Sequence, residues 1–324
     1  MTARPGAEGA GRPDPGHGPG RVIVVGSVNI DLVITVASLP RAGETVVGGR
    51  FEQHHGGKGG NQAVAASLLG ARTAIVARVG RDDDGRALAR DLNQAWVDTT
   101  ELVATGTRTG LAFVMVDAQG ENAIVVAPGA NELLEPATTA RAVRDLVGPG
   151  GVVVTQAEIP APAFEAAIKA AHEVDARAVV NLAPYRPVPD DVLALCDPLV
   201  VNESEASGLL GRDVHGVDQA RTAVADLVTR CRSVVVTVGA QGAVAGEGDT
   251  IEHVVAERVE VVDTTGAGDA FTGALAAALS AGVDLVEAVR IGVRAGTYAV
   301  GRHGAQASFA RAVELGVGPM HARP

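Results

Sequence analysis

The pattern of the chain is set by the stretch Arg21-Val22-Ile23-Val24-Val25-Gly26. A run of β-branched residues closed by glycine is typical of a strand in the middle of a sheet. Similar runs alternate along the chain with alanine-rich segments of helical period. This alternation predicts right-handed βαβ units, and hence a doubly wound, mostly parallel α/β sheet flanked by helices. Further strands are expected at 73–79, 151–155, 178–182, 198–201 and 233–238, and helices at 61–69, 85–96, 163–171 and 217–229.

Two regions, 32–53 and 111–126, break this rhythm, because they alternate apolar with polar residues and contain turn signals. We expect them to form a small separate β-sheet, a lid over the mouth of the main sheet, where open α/β proteins bind their ligands. The alternative is a pair of ordinary surface hairpins. Shorter strands are expected at 242–245 and 251–255, and helices at 267–280 and 285–300.

The composition fits a single large domain with this lid. Hydrophobic residues make up 47% of the 324 residues but aromatic residues only 2%, so small aliphatic side chains must fill the core, which suits a parallel sheet. We expect the domain at 21–316, between a disordered tail at 1–20 and a short carboxy-terminal tail at 317–324. The amino-terminal tail is rich in glycine and proline, and it lacks the apolar segment that a secretion signal contains.

Charge and cysteine content restrict the partners and the compartment. A net charge of -11 argues against nucleic acid or an anionic membrane as partner. No apolar run approaches the roughly 20 residues that span a bilayer. Cys196 and Cys231 match no zinc spacing and are too few for a disulfide scaffold, so a reduced cytoplasm is the expected location.

The first candidate site is the turn Asp263-Thr264-Thr265-Gly266-Ala267-Gly268-Asp269-Ala270-Phe271, which runs into an apolar helix. Small residues at a helix N-terminus let free N–H groups approach a phosphoryl group, and the helix dipole favours its charge. Asp269 beside such an anion site is a candidate general base. The alternative is an ordinary first-turn acid that complements the dipole.

A second glycine-rich turn, Gly56-Gly57-Lys58-Gly59-Gly60-Asn61-Gln62-Ala63, also opens a helix. Its glycines permit close backbone approach to a polar ligand, although a turn that only caps the helix is the alternative. Asn29 and Asp31 add polar groups just past the first strand, unless they too are only turn residues. Neither a Walker A loop nor a G-x-G-x-x-G after the first strand is present.

A third polar group, Asn202-Glu203-Ser204-Glu205, follows another strand. Its oxygens suit Mg²⁺ bound through water. The alternative is a helix N-cap followed by acidic residues in the first turn.

Together these segments resemble the ribokinase family of carbohydrate kinases, over Arg21 to about Phe309. The family's amino-terminal signature is similar to residues 56–63, and its carboxy-terminal signature to residues 263–271. The resemblance implies a ribokinase-like fold with a β-sheet lid, and an enzyme that moves the γ-phosphate of ATP, bound with Mg²⁺, onto a primary hydroxyl of a small sugar. Ribose, phosphorylated at O5 to ribose 5-phosphate, is the leading acceptor.

The resemblance also implies a role for each matching residue. Asp269 corresponds to the base, Gly266, Ala267 and Gly268 to the anion hole, and Glu205 to a residue linked to Mg²⁺. The sugar-binding positions match Asn29, Asp31, Gly57, Lys58, Gly59, Asn61, Glu158 and Asp269, and the nucleotide-binding positions match Asn202, Thr237, Val238, Gly239, Ala240, Gln241, Gly242 and Gly268.

An activating monovalent cation, K⁺, is a further implication of the resemblance. A cation beside the anion hole would order the loop at 266–268 electrostatically. Lid sheets with one apolar face often pair between subunits, so a homodimer through the lid is expected. The positions that match the cation site are Asp263, Thr265, Ala299, Arg302, Gly304 and Ser308.

Several alternatives stay open at this point. His54-His55 stands where the family usually has apolar or small residues, which bears on the choice of sugar. Kinases of fructose, ketodeoxygluconate or a nucleoside share the fold, although the Gly-Gly-Lys-Gly pattern with Asn29 and Asp31 favours ribose. A non-catalytic sugar-binding regulator and an oxidoreductase are the alternatives from other classes.

Overall fold

The computed structural model describes residues 20–119 and 122–320. Residues 1–19 and 321–324 of the two predicted tails, and residues 120 and 121 of the second lid region, lie outside the described residues. In chain order the described strands and α-helices are β1 (Arg21–Val25), β2 (Asn29–Thr35), β3 (Phe51–Gly56), α1 (Lys58–Leu68), β4 (Arg72–Gly80), α2 (Asp83–Gln94), β5 (Asp98–Thr105), β6 (Gly110–Val116), β7 (Asn122–Ala127), α3 (Pro136–Leu146), β8 (Val152–Gln156), α4 (Ala161–Glu173), β9 (Arg177–Asn181), α5 (Asp190–Leu193), β10 (Leu199–Asn202), α6 (Glu203–Leu210), α7 (Gly216–Leu227), β11 (Ser233–Thr237), β12 (Ala243–Glu247), β13 (Thr250–Val254), α8 (Ala267–Ser280) and α9 (Leu285–Val300).

The main sheet contains nine strands in the order β13-β12-β11-β10-β9-β8-β1-β4-β5. All neighbours from β11 to β5 are parallel, and β12 and β13 add an antiparallel edge. The strand order reverses at β1, which pairs with β4 on one side and β8 on the other. In open α/β sheets the ligand crevice lies beyond the carboxyl ends of the strands at such a reversal. The predicted mostly parallel, doubly wound sheet is confirmed.

Alternate residues of β1 explain why helices cover both faces. Val22 and Val24 enter one apolar core together with α1, α8 and α9, whereas Ile23 and Val25 enter the other together with α4 and α7. Small side chains let the helices approach closely: a Cβ added at Gly273 of α8 would lie 2.6 Å from the Cβ of Ala65 in α1. This close packing explains a core with so few aromatic residues.

A separate four-stranded sheet has the order β3-β2-β6-β7, and we call it the lid sheet. Strands β2 and β6 pair in parallel, and the other two pairs are antiparallel. The sequence predicted this sheet, but residues 36–50 of the first region form no strand and β2 already begins at Asn29. Asn29 and Asp31 therefore lie on the lid sheet itself, and the alternative that they are only turn residues is wrong.

Strand β5 and helices α3 and α5 were not expected from the sequence, and α6 was expected only as the capping alternative at 202–205. Strand β5 lies at the edge of the main sheet and carries Asp98 and Glu101, so it lacks an apolar run. Helix α3 contains Thr138 and Thr139, which weaken its helical signal. Among the helices in the described part of the chain, none is long and apolar enough to cross a membrane.

Candidate active site

Asp269 lies at the centre of the candidate site, in the first turn of α8. Its side chain is buried and accepts two hydrogen bonds from α1: Nδ2 of Asn61 donates to Oδ2, and Nε2 of Gln62 donates to Oδ1, each over 2.9 Å. These partners precede it by 208 and 207 residues. Asp269 is therefore held by a different helix, which an acid that only complements its own helix dipole does not require.

The loop before Asp269 has the geometry of an anion pocket. Gly266, the N-cap of α8, has φ of 76°, a conformation that favours glycine. A Cβ at this position would lie 2.9 Å from Cα of Ala305, so the loop also packs too closely for a side chain. A Cβ at Gly268 would meet nothing within 4 Å. Open space therefore lies beside Gly268 in the first turn of α8, where the helix dipole favours an anion, although the N–H of Ala267 donates to the backbone O of Thr264 over 3.3 Å.

Glu158 and Lys58 are brought together at the start of α1. Oε2 of Glu158 accepts hydrogen bonds from Oγ of Ser27 (2.5 Å) and from the backbone N of Lys58 (3.0 Å). The negative charge of Asp269 raises the pKa of Lys58, against the effect of burial, and Glu158 and Glu205 add to this effect. A Lys58 ammonium therefore lies within electrostatic reach of three carboxylates, and it offsets part of their mutual repulsion.

The glycines beside Lys58 are required by the backbone next to β1. Gly57, the N-cap of α1, has φ of 82°, and a Cβ there would lie 2.7 Å from Cα of Val28. A Cβ at Gly59 would lie 2.7 Å from the backbone of Gly26 and of Ser27. These glycines thus do more than cap a helix, because they let α1 begin against the end of β1.

Asp31 reaches the same site from β2. Burial raises its pKa to about 6, and the negative charges of Glu158 and Asp269 contribute, whereas His54 opposes the shift. Asn29 lies two residues earlier on the same face of the strand. Its Oδ1 accepts a hydrogen bond from Nδ2 of Asn131 (2.8 Å), which fixes the amide. A polar ligand at this site would meet amide, ammonium and carboxyl groups together.

Asn202 and Glu205 form a reciprocal helix cap at the start of α6. The Asn202 side chain accepts from the backbone N of Glu205, and the Glu205 carboxylate accepts from the backbone N of Asn202, both over 2.8 Å. The capping alternative is therefore present in the structure. Burial also raises the pKa of Glu205, whereas the hydrogen bond from Asn202 and the charge of Lys58 lower it, so the carboxylate lies within electrostatic reach of the site.

A cavity of about 510 Å³ is lined by residues of β13, of α9 and of the segments that follow them, and none of residues 237–242 lines it; the turn after β11 contacts its wall residue His253. Gly242 has φ of 95°, and a Cβ there would lie 2.0 Å from the backbone O of Val254. Nε2 of His253, which lines the cavity, lies 2.8 Å from the backbone O of Gln241. The turn at 237–242 is thereby fixed against one wall. The other residues that line the cavity include Val255, Val259, Val293 and Thr297.

Asp263 connects the loop before α8 to the loop after α9. Its carboxylate accepts hydrogen bonds from the backbone N of Thr265 and of Gly304, both over 2.8 Å. Burial opposes its ionisation, but these hydrogen bonds and the nearby His303 hold the pKa of Asp263 below its usual value. The hydroxyl of Ser308 is buried and donates to the backbone O of Ala305 (2.7 Å). The guanidinium of Arg302 instead stacks on Tyr298, so only its backbone is available to this loop.

The sequence pointed to no role for several polar residues around the site. Gln62 belongs to the glycine-rich turn at 56–63, and Gln156 and Asn181 are the last residues of the buried strands β8 and β9. Gln306 donates to Oδ1 of Asn61 over 3.0 Å. A polar residue that closes an apolar strand is a usable signal for Gln156 and Asn181. His55 pairs with Asp91 of α2 over 2.7 Å, outside this cluster.

The fold and the site together define an α/β enzyme that binds a polar ligand beside an anion pocket, with a buried carboxylate between them. Comparison with known proteins gives the family. The sequence profile described as pfkB family carbohydrate kinase matches residues 20–312. The chain belongs to the pfkB family of carbohydrate kinases, which confirms the resemblance seen in the sequence.

Individual relatives cover almost the whole chain. Ribokinase of Bacillus subtilis is 37% identical over 286 residues, which are 88% of this chain and 94% of that protein. Deoxyribokinase of Salmonella typhi is 33% identical over 291 residues, 89% of this chain and 95% of that protein. The structure of Arabidopsis thaliana ribokinase complexed with ribose and ATP is similar, with a TM-score of 0.83 and 30% identity, and covers 92% of this chain and 97% of that one.

Proposed function

We propose that this protein is an ATP-dependent sugar kinase that phosphorylates ribose at O5 to give ribose 5-phosphate. The observation that carries the proposal is the position of Asp269: a buried carboxylate, held by two amides, directly after the glycine-rich start of α8. A base is needed where an acceptor hydroxyl meets the transferred phosphoryl group. The similarity to ribokinases over nearly the full chain supports the same reaction.

In this proposal the sugar lies between the lid sheet and α1. Asn29 and Asp31 bind its hydroxyls from the lid side, and Lys58, Asn61 and Glu158 bind them from the body. The O5 hydroxyl then contacts Asp269, which accepts its proton as the new P–O bond forms. The lid excludes water, which would otherwise compete with the sugar for the phosphoryl group.

ATP occupies the other side of Asp269. We assign its adenosine part to the cavity of about 510 Å³ beside the turn at 237–242, and its phosphates to the N–H groups of Gly266, Ala267 and Gly268. Among the described residues no group of three or more His, Cys, Asp or Glu side chains has the arrangement of a metal site. In the proposal Mg²⁺ arrives bound to the nucleotide phosphates, and the carboxylate of Glu205 would contribute to its binding. The ion would neutralise the charge of the phosphates.

The loop pair around Asp263 is the proposed K⁺ site. Asp263 is favoured in its ionised form, and a K⁺ ion suits a carboxylate surrounded by carbonyl and hydroxyl oxygens. The remaining ligands would come from Thr265, Ala299, Arg302, Gly304 and Ser308, through backbone or hydroxyl oxygens. The site adjoins Gly266, so an ion there would order the anion pocket.

The direct test is ADP release with ATP, Mg²⁺ and a panel of acceptors, with and without K⁺. The panel contains ribose, 2-deoxyribose, fructose, ketodeoxygluconate and adenosine, because a deoxyribokinase is among the relatives. We expect the highest kcat/KM with ribose, and the product should be the 5-phosphate. No ADP release with any acceptor would contradict a kinase, and a preference for another acceptor would contradict only the choice of sugar.

A second copy of this chain is the proposed partner. The lid sheet has four strands and exposes Phe51, Phe113 and Val125, which lie on one face, while Ile124 and Val126 are exposed on the other. A small sheet with apolar residues on both faces needs cover. We expect a dimer in light scattering. Phe113→Lys should give a monomer, whereas Val313→Lys, at a more exposed apolar position outside the lid, should not.

A further inference from the structure

Inside the core, four polar side chains form a continuous chain of hydrogen bonds that ends at Asp269. Nε2 of Gln156 donates to Oε1 of Gln62 over 2.6 Å. Nε2 of Gln62 in turn donates to Oδ1 of Asp269 over 2.9 Å and to Oδ1 of Asn181 over 3.0 Å. Gln62 and Gln156 are both 0% exposed, so no solvent can replace these partners.

The hydrogen bonds fix the direction of the Gln62 amide. If its oxygen and nitrogen were exchanged, the oxygen would face the acceptor oxygens of Asp269 and Asn181. Its nitrogen would then face the amino group of Gln156. All three contacts would become unfavourable together, because two acceptors or two donors cannot pair. The Asp269 carboxylate, which can only accept, therefore sets the direction in which Gln62 points its N–H groups, and Gln156 supports this direction from the other end.

We propose that Gln62 is a positioning residue for phosphoryl transfer, which holds Oδ1 of Asp269 from the core and leaves Oδ2 for the acceptor hydroxyl. Oδ2 is the oxygen contacted by Asn61, on the side where the sugar is assigned. In the transfer, the proton of the sugar hydroxyl passes to Oδ2, the sugar oxygen bonds to the γ-phosphorus, and ADP leaves with the electrons of the broken P–O bond. The inference rests on the proposed function, because it acts through the base.

Packing alone does not require amides at these positions. Replacing both partners of a buried hydrogen bond by apolar groups of the same shape is often nearly neutral for stability. A carboxylate held by one amide can turn about its Cβ–Cγ bond, however, and a misplacement of about 1 Å at a reacting group lowers the rate by about 100-fold. The hydrogen bond from Gln62 therefore holds the reacting carboxylate in one orientation, in addition to satisfying buried polar groups.

The test is steady-state kinetics with ribose and ATP for Gln62→Met, Asp269→Asn and the double variant. Methionine keeps the volume of glutamine and removes its donors. For Gln62→Met we expect kcat to fall by about 10- to 100-fold and the ribose KM to change by less than about threefold. In the Asp269→Asn background the same substitution should lower kcat by less than about threefold, because the two residues act as one unit.

Thr155→Val is the matched control, because Thr155 is equally buried, neighbours Gln156 and has a hydroxyl without a partner among the described residues. It should keep the kcat and the melting temperature of the wild type. If Gln62→Met does not fold, Gln62→Asn, which withdraws the amide by one methylene, takes its place with the same expected split.

The outcomes separate the two claims. If Asp269→Asn is inactive but Gln62→Met keeps wild-type kcat, the role of Gln62 is wrong and the proposed function stands. The role is also wrong if Gln62→Met lowers kcat equally in both backgrounds, or if the ribose KM rises as much as kcat falls. Near-normal turnover by Asp269→Asn contradicts the assignment of Asp269 as the base, and with it the role of Gln62, whereas no ADP release by the wild type with any acceptor contradicts the proposed function itself.

Discussion

Asp31→Asn should make the free protein more stable while it weakens sugar binding. Burial and the charges of Glu158 and Asp269 raise the pKa of Asp31 from 3.8 to about 6. Because the folded state holds this proton more tightly than the unfolded state, the free energy of unfolding falls as pH rises from about 4 to about 6, and it stays lower above that range. Asparagine has the same shape and does not ionise.

The size of the effect follows from the pKa difference. A shift of about two units corresponds to ~3 kcal/mol, since each unit is about 1.4 kcal/mol. At pH 7.5 Asp31→Asn should therefore raise the free energy of unfolding by up to ~3 kcal/mol, or the melting temperature by about 5 °C. At pH 4 most of the gain should vanish, because the folded Asp31 is protonated there and the unfolded-state pKa of 3.8 lies close to this pH. Loss of a hydrogen bond to a charged group should raise the ribose KM by about 10- to 100-fold.

Thermal unfolding at both pH values, with ribose kinetics at pH 7.5, is the assay. Asp82→Asn is the control of opposite sign, because hydrogen bonds from Thr109 and Gly85 outweigh burial and lower the pKa of Asp82. That variant should lose stability at pH 7.5 and lose less at pH values below the pKa. A gain for Asp31→Asn that is equal at pH 4 and pH 7.5, or a loss at pH 7.5, would refute the reasoning.

Three further substitutions, one of them with a matched control, test other parts of the site. Lys58→Ala should chiefly raise the ribose KM, because it removes the ammonium among three carboxylates; an unchanged ribose KM with weaker ATP binding would place Lys58 on the nucleotide. Gly266→Ala should lower both kcat and the melting temperature, since its φ is 76° and its Cβ would contact Ala305, whereas Gly268→Ala, with nothing within 4 Å, should melt as the wild type does. Asp263→Asn should bring the ratio of kcat in K⁺ to kcat in a large organic cation close to one, and an unchanged ratio would remove the cation from this loop.

The sequence predicted most of the main sheet because its strands are nearly pure runs of valine and isoleucine between alanine-rich helices. Strand β1 spans the expected residues, and α8 and α9 have the predicted bounds. Strand β5 was missed because an edge strand carries charged residues and lacks such a run. The glycine-rich turns were visible because close backbone approach restricts the residue type at those positions.

The contacts of the site were less predictable, because they join residues that are far apart in the chain. Gln62 and Asn181 are separated by 119 residues, and nothing local to either one indicates the other. Asn202 and Glu205 show a different limit: the two residues form a helix cap, and Glu205 also interacts electrostatically with Lys58, so a local pattern could not separate the two roles.

The measurement closest to the central claim is the turnover of Asp269→Asn with ribose and saturating ATP, together with the affinity of that variant for ATP. A positioned base contributes about two to four decades to the rate, so kcat should fall by that amount while ATP affinity changes little. If the variant turned over ribose at close to the wild-type rate, Asp269 would not be the base, and the account of the site would be wrong.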